Sequence, residues 1–270
     1  MVRSHGPRGD RAPPAGGQPH EVRRRPRLRR GAEGGLGAVQ AGGRTEPGRD
    51  GLRGDDRQAP GQGHPLRDGH RREPDAALTA LKRLGIRPDE VDVVLSTHLH
   101  WDHAGGFTRL SPGGQVEVTF PKARHYVQRR EWDFALDSDP RSRAAYLADD
   151  FVPVADAGLV EFVDGDAEIL PGVELRLTGG HTPGNQVVIF RSGELAAAMT
   201  GDLIGTTPHL RRAWNSGGDL DVVRALQEKG RLLDEAAAHR WLLVLGHESE
   251  QAAGYVSPEG EWTPEPGLRA

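Results

Sequence analysis

Downstream of residue 75 the chain is written in short apolar runs broken by glycine, proline and charge. Asp75 stands ahead of Ala77, Leu78, Leu81 and Leu84, which fall on one face of a helix that Gly85 ends. The run Val91-Asp92-Val93-Val94-Leu95, continued to Ser96, predicts a buried strand. A short strand is expected over 123–127 and helices over 128–136 and 141–147, so that 128–157 forms a mostly helical insertion. Residues 159–163, 167–170 and 173–177 alternate apolar with polar positions. Asp164-Gly165-Asp166 and Pro171-Gly172 separate them as hairpin turns, and 187–190 and 195–199 repeat the pattern about Ser192-Gly193. Asp219 or Asp221 caps a helix running to 238, with Val222, Val223, Leu226, Leu233 and Ala237 as its core stripe. A last clear strand covers 241–245, and a short hairpin is expected beyond it. Strands interleaved with helices give an α/β class, and no solenoid-length repeat interrupts it.

Chemistry concentrates where strands end. His98-Leu99-His100-Trp101-Asp102-His103 follows the strand at 91–96 and packs three imidazoles and a carboxylate into six residues. A lone histidine is usually a packing or surface residue; four such groups at a strand mouth suit a borderline divalent metal such as zinc. His181 in Gly180-His181-Thr182-Pro183-Gly184, Asp202 in Thr200-Gly201-Asp202 and His247 in Leu245-Gly246-His247 each follow a predicted strand beside glycine. Seven donors exceed the roughly four that one zinc takes, and suit two metals with a shared bridge.

The order His-x-His-x-Asp-His, then His, then Asp, then His resembles the metallo-β-lactamase superfamily over about residues 75–255. The resemblance implies an αββα sandwich, two mixed sheets back to back with helices outside, and metals on the edge loops. It implies that His98, His100 and His181 hold one cation, that Asp102, His103 and His247 hold the other, and that Asp202 bridges them. The absence of cysteine at Asp202 sets the chain apart from zinc β-lactamases, and His100, where diiron flavoproteins have glutamate, favours hydrolysis over redox chemistry. The Thr97–Gly106 run, Gly180-His181-Thr182-Pro183-Gly184 and Gly246-His247-Glu248-Ser249-Glu250-Gln251 are similar to the lactonase-like, quorum-quenching branch. Two departures stand out: Gly205 replaces the tyrosine that those lactonases carry three residues after the bridging aspartate, and Asn185 stands where they often have histidine.

The implied activity is that of a dinuclear hydrolase. Two divalent ions, zinc by ligand type, about 3.5–4 Å apart would acidify a bridging water into a hydroxide that attacks an ester, lactone or related bond of a small molecule. Asp202 would fix the spacing, and Asp102 would orient the hydroxide or pass its proton to the leaving group. Alternatives on the same scaffold are a glyoxalase II-like thioester hydrolase, a phosphotriesterase and a mononuclear-iron sulfur dioxygenase. His209, seven residues past Asp202 in Thr206-Thr207-Pro208-His209-Leu210, is a candidate substrate contact. Thr97, Thr182 and Thr200 flank ligands and are candidates to orient them. His125 and His239 read as structural or surface residues.

Composition changes this picture at one end. Residues 1–74 hold 16 Arg, 16 Gly and 9 Pro and no aromatic residue, while all 14 aromatics lie after position 100. Such a segment cannot bury enough apolar surface to order itself. Two readings stand: a disordered arm, or a GC-rich reading frame out of register that displaces the superfamily's opening strands, leaving those strands missing. The domain boundary expected is therefore 1–74 against a hydrolase domain at 75–270. The arm carries 16 Arg against 9 acidic residues, +7; the remainder carries −11 of the total −4. An acidic folded part disfavours nucleic acid as partner. The absence of cysteine points to a reducing compartment, and with no membrane-length apolar run and no apolar signal core a cytoplasmic location is expected; the small-molecule substrate is what the resemblance implies.

Overall fold

The computed structural model describes residues 76–267. The readings of residues 1–74, and the cap expected at Asp75, lie outside the described residues. In chain order the elements are helix α1 (Ala76–Arg83), strand β1 (Val93–Leu95), short helix α2 (Trp101–Ala104), and strands β2 (Thr108–Leu110), β3 (Val116–Val118) and β4 (Arg124–Gln128). Helices α3 (Arg129–Leu136) and α4 (Ala148–Asp156) follow, then strands β5 (Val160–Val163), β6 (Ala167–Leu170), β7 (Val173–Leu177), β8 (Gln186–Ser192) and β9 (Leu195–Met199). Helix α5 (Val222–His239) and strands β10 (Leu242–Val244), β11 (Ala253–Val256) and β12 (Trp262–Pro264) complete the chain.

The layers are αββα. One sheet runs β1-β4-β5, all parallel; the other runs β12-β11-β10-β9-β8-β7-β6, antiparallel except for β9 beside β10. The alternation of side chains along each strand sorts them between cores. Leu95, Tyr126 and Val163 of the first sheet meet Val173, Leu175 and Val188 of the second. The outer face of the first sheet, through Val94 and Val127, packs on Ala77 and Leu81 of α1, Ala135 of α3 and Phe151 and Val154 of α4. On the far side Val187, Ile189, Ala198 and Leu243 pack on Leu232, Leu233 and Ala236 of α5.

Two expectations are corrected. The helix expected at 141–147 is a single 3₁₀ turn at Arg143–Ala145, and the α-helix begins only at Ala148. Asp139 competes for the backbone there: its Oδ1 accepts from the amides of Arg141 (2.7 Å) and Ser142 (3.2 Å), and its Oδ2 from Ser142 Oγ (2.8 Å). The stripe of α5 is rotated. Its buried residues are Ala225, Lys229, Leu232, Leu233 and Ala236, while Val222 and Val223 face solvent. Ala225 is drawn inward because Gly180, at φ +88°, lies so close that a Cβ on it would stand 2.7 Å from Ala225 Cα. Lys229 follows because its ammonium reaches the carbonyls of Arg211 and Trp214. The hairpin β2–β3 was not anticipated.

Proline inside α4 has a visible compensation. Pro153 has no amide to give the carbonyl of Asp149, four residues back. The hydroxyl of buried Thr108 donates to that carbonyl instead, at 2.9 Å.

Candidate metal centre

The carboxyl ends of β1, β7, β9 and β10 open toward one edge of the sandwich, and the loops beyond them carry the candidate ligands. After β1 the chain turns through His98, Leu99 and His100 into α2, which places Asp102 and His103 in its first turns. The two sheets are pinned just behind this loop: the Gln186 amide donates to Thr97 O (2.8 Å) and Gln186 Nε2 to Ser96 O (2.6 Å). Asp202 sits in a 3₁₀ turn, Gly201–Ile204, directly after β9. Gly201 has φ +50°, and a Cβ on it would stand 2.6 Å from Thr97 Oγ1, so only glycine lets this turn press against the β1 loop. The His247 amide donates to Gly205 O at 2.7 Å, which ties the β10 loop to the same turn.

All seven predicted residues are brought together. Ring nitrogens of His98, His100 and His181 lie within 4.8 Å of one another. The same holds for ligand atoms of His98, His103 and Asp202, and of Asp102, His103 and His247. Asp202 stands between the groups. Its Oδ1 is 2.9 Å from His103 Nε2 and 2.8 Å from His247 Nε2, and its Oδ2 is 3.2 Å from His181 Nε2. Asp102 Oδ2 lies 3.6 Å from His103 Nε2 and 3.7 Å from His247 Nε2. Imidazole nitrogens also face each other, His103 Nε2 to His247 Nε2 at 3.3 Å and His181 Nε2 to His100 Nδ1 at 3.2 Å.

The electrostatics separate neutral from charged partners. Burial pulls His98 well below the usual imidazole range and His100 down to about 3. Both are therefore neutral and present lone pairs. Burial alone would raise the Asp202 carboxyl; His103, by charge and hydrogen bond, and His247 overcome it and hold Asp202 well below the carboxylate range. Burial lowers His181, but Asp219, whose Oδ1 lies 2.9 Å from His181 Nδ1, and Asp202 outweigh it and raise the ring. The hydrogen bond to Asp202 raises His247. His98 Nε2 is buried without any hydrogen-bond partner. Neutral His98 and His100, the ionised Asp202, two ring nitrogens (His98 Nε2 and His103 Nδ1) buried without a hydrogen-bond partner, and no thiolate form a donor set that fits borderline divalent cations.

A family profile, described as the metallo-beta-lactamase superfamily, matches residues 50–247, a span that includes all seven of these residues. The chain belongs to the metallo-β-lactamase superfamily. The match starts at residue 50, ahead of the boundary expected at 75. An N-acyl homoserine lactonase of Bacillus cereus is 30% identical over 189 residues, covering 69% of this chain and 68% of the relative. Against several Bacillus thuringiensis lactonases the matched part spans 64% of the relative's length. In fold the chain is similar to a probable metal-dependent hydrolase from Staphylococcus aureus (TM-score 0.65, 24% identity, 73% of this chain and 70% of the other). It is also similar in fold to a dizinc quorum-quenching lactonase solved with a homoserine product (TM-score 0.63, 21% identity, 73% and 72%). As a superfamily member related to these lactonases, the protein is a metal-dependent hydrolase that binds divalent metal. Among the described residues no helix is long and apolar enough to cross a membrane.

The remaining candidates divide. Of the three threonines only Thr97 touches a candidate ligand, with Oγ1 3.1 Å from His98 Nδ1. Thr182 donates to Glu131, and Thr200 to the carbonyls of Ile204 and Val244. His209 is half-buried, with Nδ1 2.9 Å from Thr206 Oγ1, and a Cβ built on Gly205 would stand 3.9 Å from that nitrogen and 3.3 Å from His247 Cδ2. His125 is fully buried between Phe107 and Phe120, and His239 is exposed. Asp219, one of two residues read as a helix cap, holds His181 instead; Asp221 caps α5, accepting from the Arg224 amide at 3.0 Å. Glu131 and Tyr146 were not anticipated: a glutamate in the first turn of a helix and a tyrosine in an irregular segment carry no distinguishing pattern.

Proposed function

We propose that residues 75–270 form the hydrolase domain and that its edge site holds two divalent cations, zinc in kind, for the opening of a lactone ring. His98, His100 and His181 would hold one, Asp102, His103 and His247 the other, and Asp202 would link them. The observation that carries this reading is the placement of Asp202, whose two carboxylate oxygens face different imidazole groups. When bound, such a cation pair supplies Lewis acidity and acidifies water near neutral pH.

The chain's own residues do the rest. Asp202, ionised and held from both sides, fixes the spacing without reorganising. Asp219 holds His181 by its Nδ1, which sets the ring so that Nε2 faces the site. Asp102 is more accessible than Asp202, with side-chain exposures of 21% and 14%, and its carboxylate is placed to take a proton and return it to the leaving alkoxide. His209, engaged at Nδ1 by Thr206, presents Nε2 to a substrate oxygen. Gly205 leaves room beside it. N-acyl homoserine lactonase relatives make an acylated lactone the first substrate class to try.

The test is elemental analysis of the purified protein beside turnover on a lactone, an aryl ester, a thioester and a phosphotriester. Two zinc-like cations per chain with lactone turnover highest is the expected result. One iron per chain with oxygen uptake, or metal without turnover of any of the four, would overturn the proposal.

A further inference from the structure

The loop at 98–103 and the loop at 181–184 come from different sheets, yet one buried side chain touches both. Glu131, 1% exposed, lies in the first turn of α3, whose backbone is pressed onto the second loop: a Cβ on Gly184 would stand 2.3 Å from the Glu131 amide nitrogen. Its carboxylate does not cap its own helix. Oε1 accepts from the Leu99 amide at 3.0 Å and from the Tyr146 hydroxyl at 2.9 Å. Oε2 accepts from Thr182 Oγ1 at 2.5 Å and from the Gly184 amide at 3.2 Å. Leu99 sits between His98 and His100, and Thr182 follows His181. Each oxygen therefore serves one ligand-bearing loop. The Tyr146 ring also stands edge-on to His100, with centroids 4.8 Å apart.

We propose that Glu131 is a positioning residue for the cation site, clamping the His98/His100 loop to the His181 loop so that the three imidazoles converge before any metal arrives. Burial pushes the Glu131 carboxyl up, and all four donors around it oppose that; both oxygens serve as acceptors, so every donor is matched. Burying a carboxylate is costly, and four charge-assisted bonds are what a site offers in return when the group must stay. Glutamine cannot replace it: its oxygen serves one loop while its NH₂ meets the donors of the other. This inference rests on the assignment of His98, His100 and His181 as ligands.

The experiment uses the full chain loaded with cobalt(II). It reads the visible absorption of the bound ion and its retention against a competing chelator, with circular dichroism as the check on folding. The parent is measured first; if it binds no cobalt, the ligand assignment fails and the clamp falls with it. With the parent binding, Glu131→Gln is expected to fold, to lose about 10–100-fold in cobalt retention, the cost typical of an outer-shell partner, and to change its absorption envelope. Thr182→Val is expected to shift both readouts in the same direction and Thr182→Ser to restore them. A folded Glu131→Gln that retains cobalt within about threefold of the parent, with an unchanged spectrum, overturns the clamp while leaving the ligand assignment standing. Should Glu131→Gln fail to fold, the threonine pair decides, and Thr182→Val behaving as the parent overturns it.

Discussion

Gly201 is pressed against Thr97, and substituting Gly201→Ala measures that joint. Two costs add. The backbone at φ +50° is left-handed, which costs an L-residue about 1–2 kcal/mol. The new methyl would also stand 2.6–2.7 Å from Oγ1, Cβ and Cγ2 of Thr97, and that side chain has nowhere to go, being 3% exposed and engaged with His98 Nδ1. Forcing a methyl into such a place costs about 1–3 kcal/mol. The sum, about 2–5 kcal/mol, is a large share of a domain stability of about 5–15 kcal/mol. Gly193→Ala separates the two terms: Gly193 has φ +60° with nothing within 4 Å, so it carries the backbone cost alone. Urea unfolding of the metal-free proteins should place Gly193→Ala about 1–2 kcal/mol below the parent and Gly201→Ala lower still by the overlap term. Because Asp202 adjoins the joint, Gly201→Ala should also weaken zinc retention, and Gly193→Ala should not. Equal destabilisation by the two alanines, with zinc retention unchanged, would refute the argument that contact with Thr97 positions the aspartate.

Other outcomes follow from single contacts. Asp202→Ala removes the residue common to both proposed cation positions; zinc content should fall and turnover should drop beyond the about 10–100-fold typical of losing an outer-shell partner, and an unchanged kcat/KM would show that Asp202 is no bridge. Burial depresses His125 to about 4 from 6.5, so between these values the unfolded chain binds more protons and stability rises with pH; acidification from pH 7 to 4 should remove up to about 3 kcal/mol that His125→Leu does not lose, read as the difference in urea midpoints. Thr108→Val removes the hydroxyl's hydrogen bond to the Asp149 carbonyl and should cost about 0.5–1.5 kcal/mol; combined with Pro153→Ala, which returns an amide to that carbonyl, the penalty should shrink, and a strictly additive double mutant would exclude the compensation. His209→Ala should raise KM for a lactone more than it lowers kcat, and the reverse pattern would place His209 in the chemical step.

What could be read from the sequence was whatever local pattern and residue chemistry encode. Period-two alternation located β6, β7 and β9 at the observed bounds, and clustered imidazoles at strand ends marked the donors before any geometry was known. What escaped depends on partners distant along the chain. Lys229 looks like a solvent residue until two carbonyls from residues 211 and 214 arrive to meet it, and the register of α5 turns on that meeting. Glu131 looks like an ordinary charge favoured near a helix start; only the approach of residues 99 and 182–184 makes it an internal acceptor. Asp219 and Asp221 are interchangeable as caps on paper, and the choice is made by a histidine 38 residues upstream of Asp219. The helix expected at 141–147 was lost to Asp139, whose turn chemistry outweighs moderate helix propensity.

The sandwich divides cleanly in sequence. Among the described residues the stretch up to β5 supplies the β1-β4-β5 sheet, with the β2–β3 hairpin beside it, and carries His98, His100, Asp102 and His103; the stretch from β6 onward builds the other sheet and carries His181, Asp202 and His247. Neither portion owns a complete donor set, and the turn at Asp164-Gly165-Asp166 between them is exposed or partly so. Cut there and expressed as two fragments, the protein becomes a reporter of its own reassembly: captured cobalt would colour only the rejoined pair.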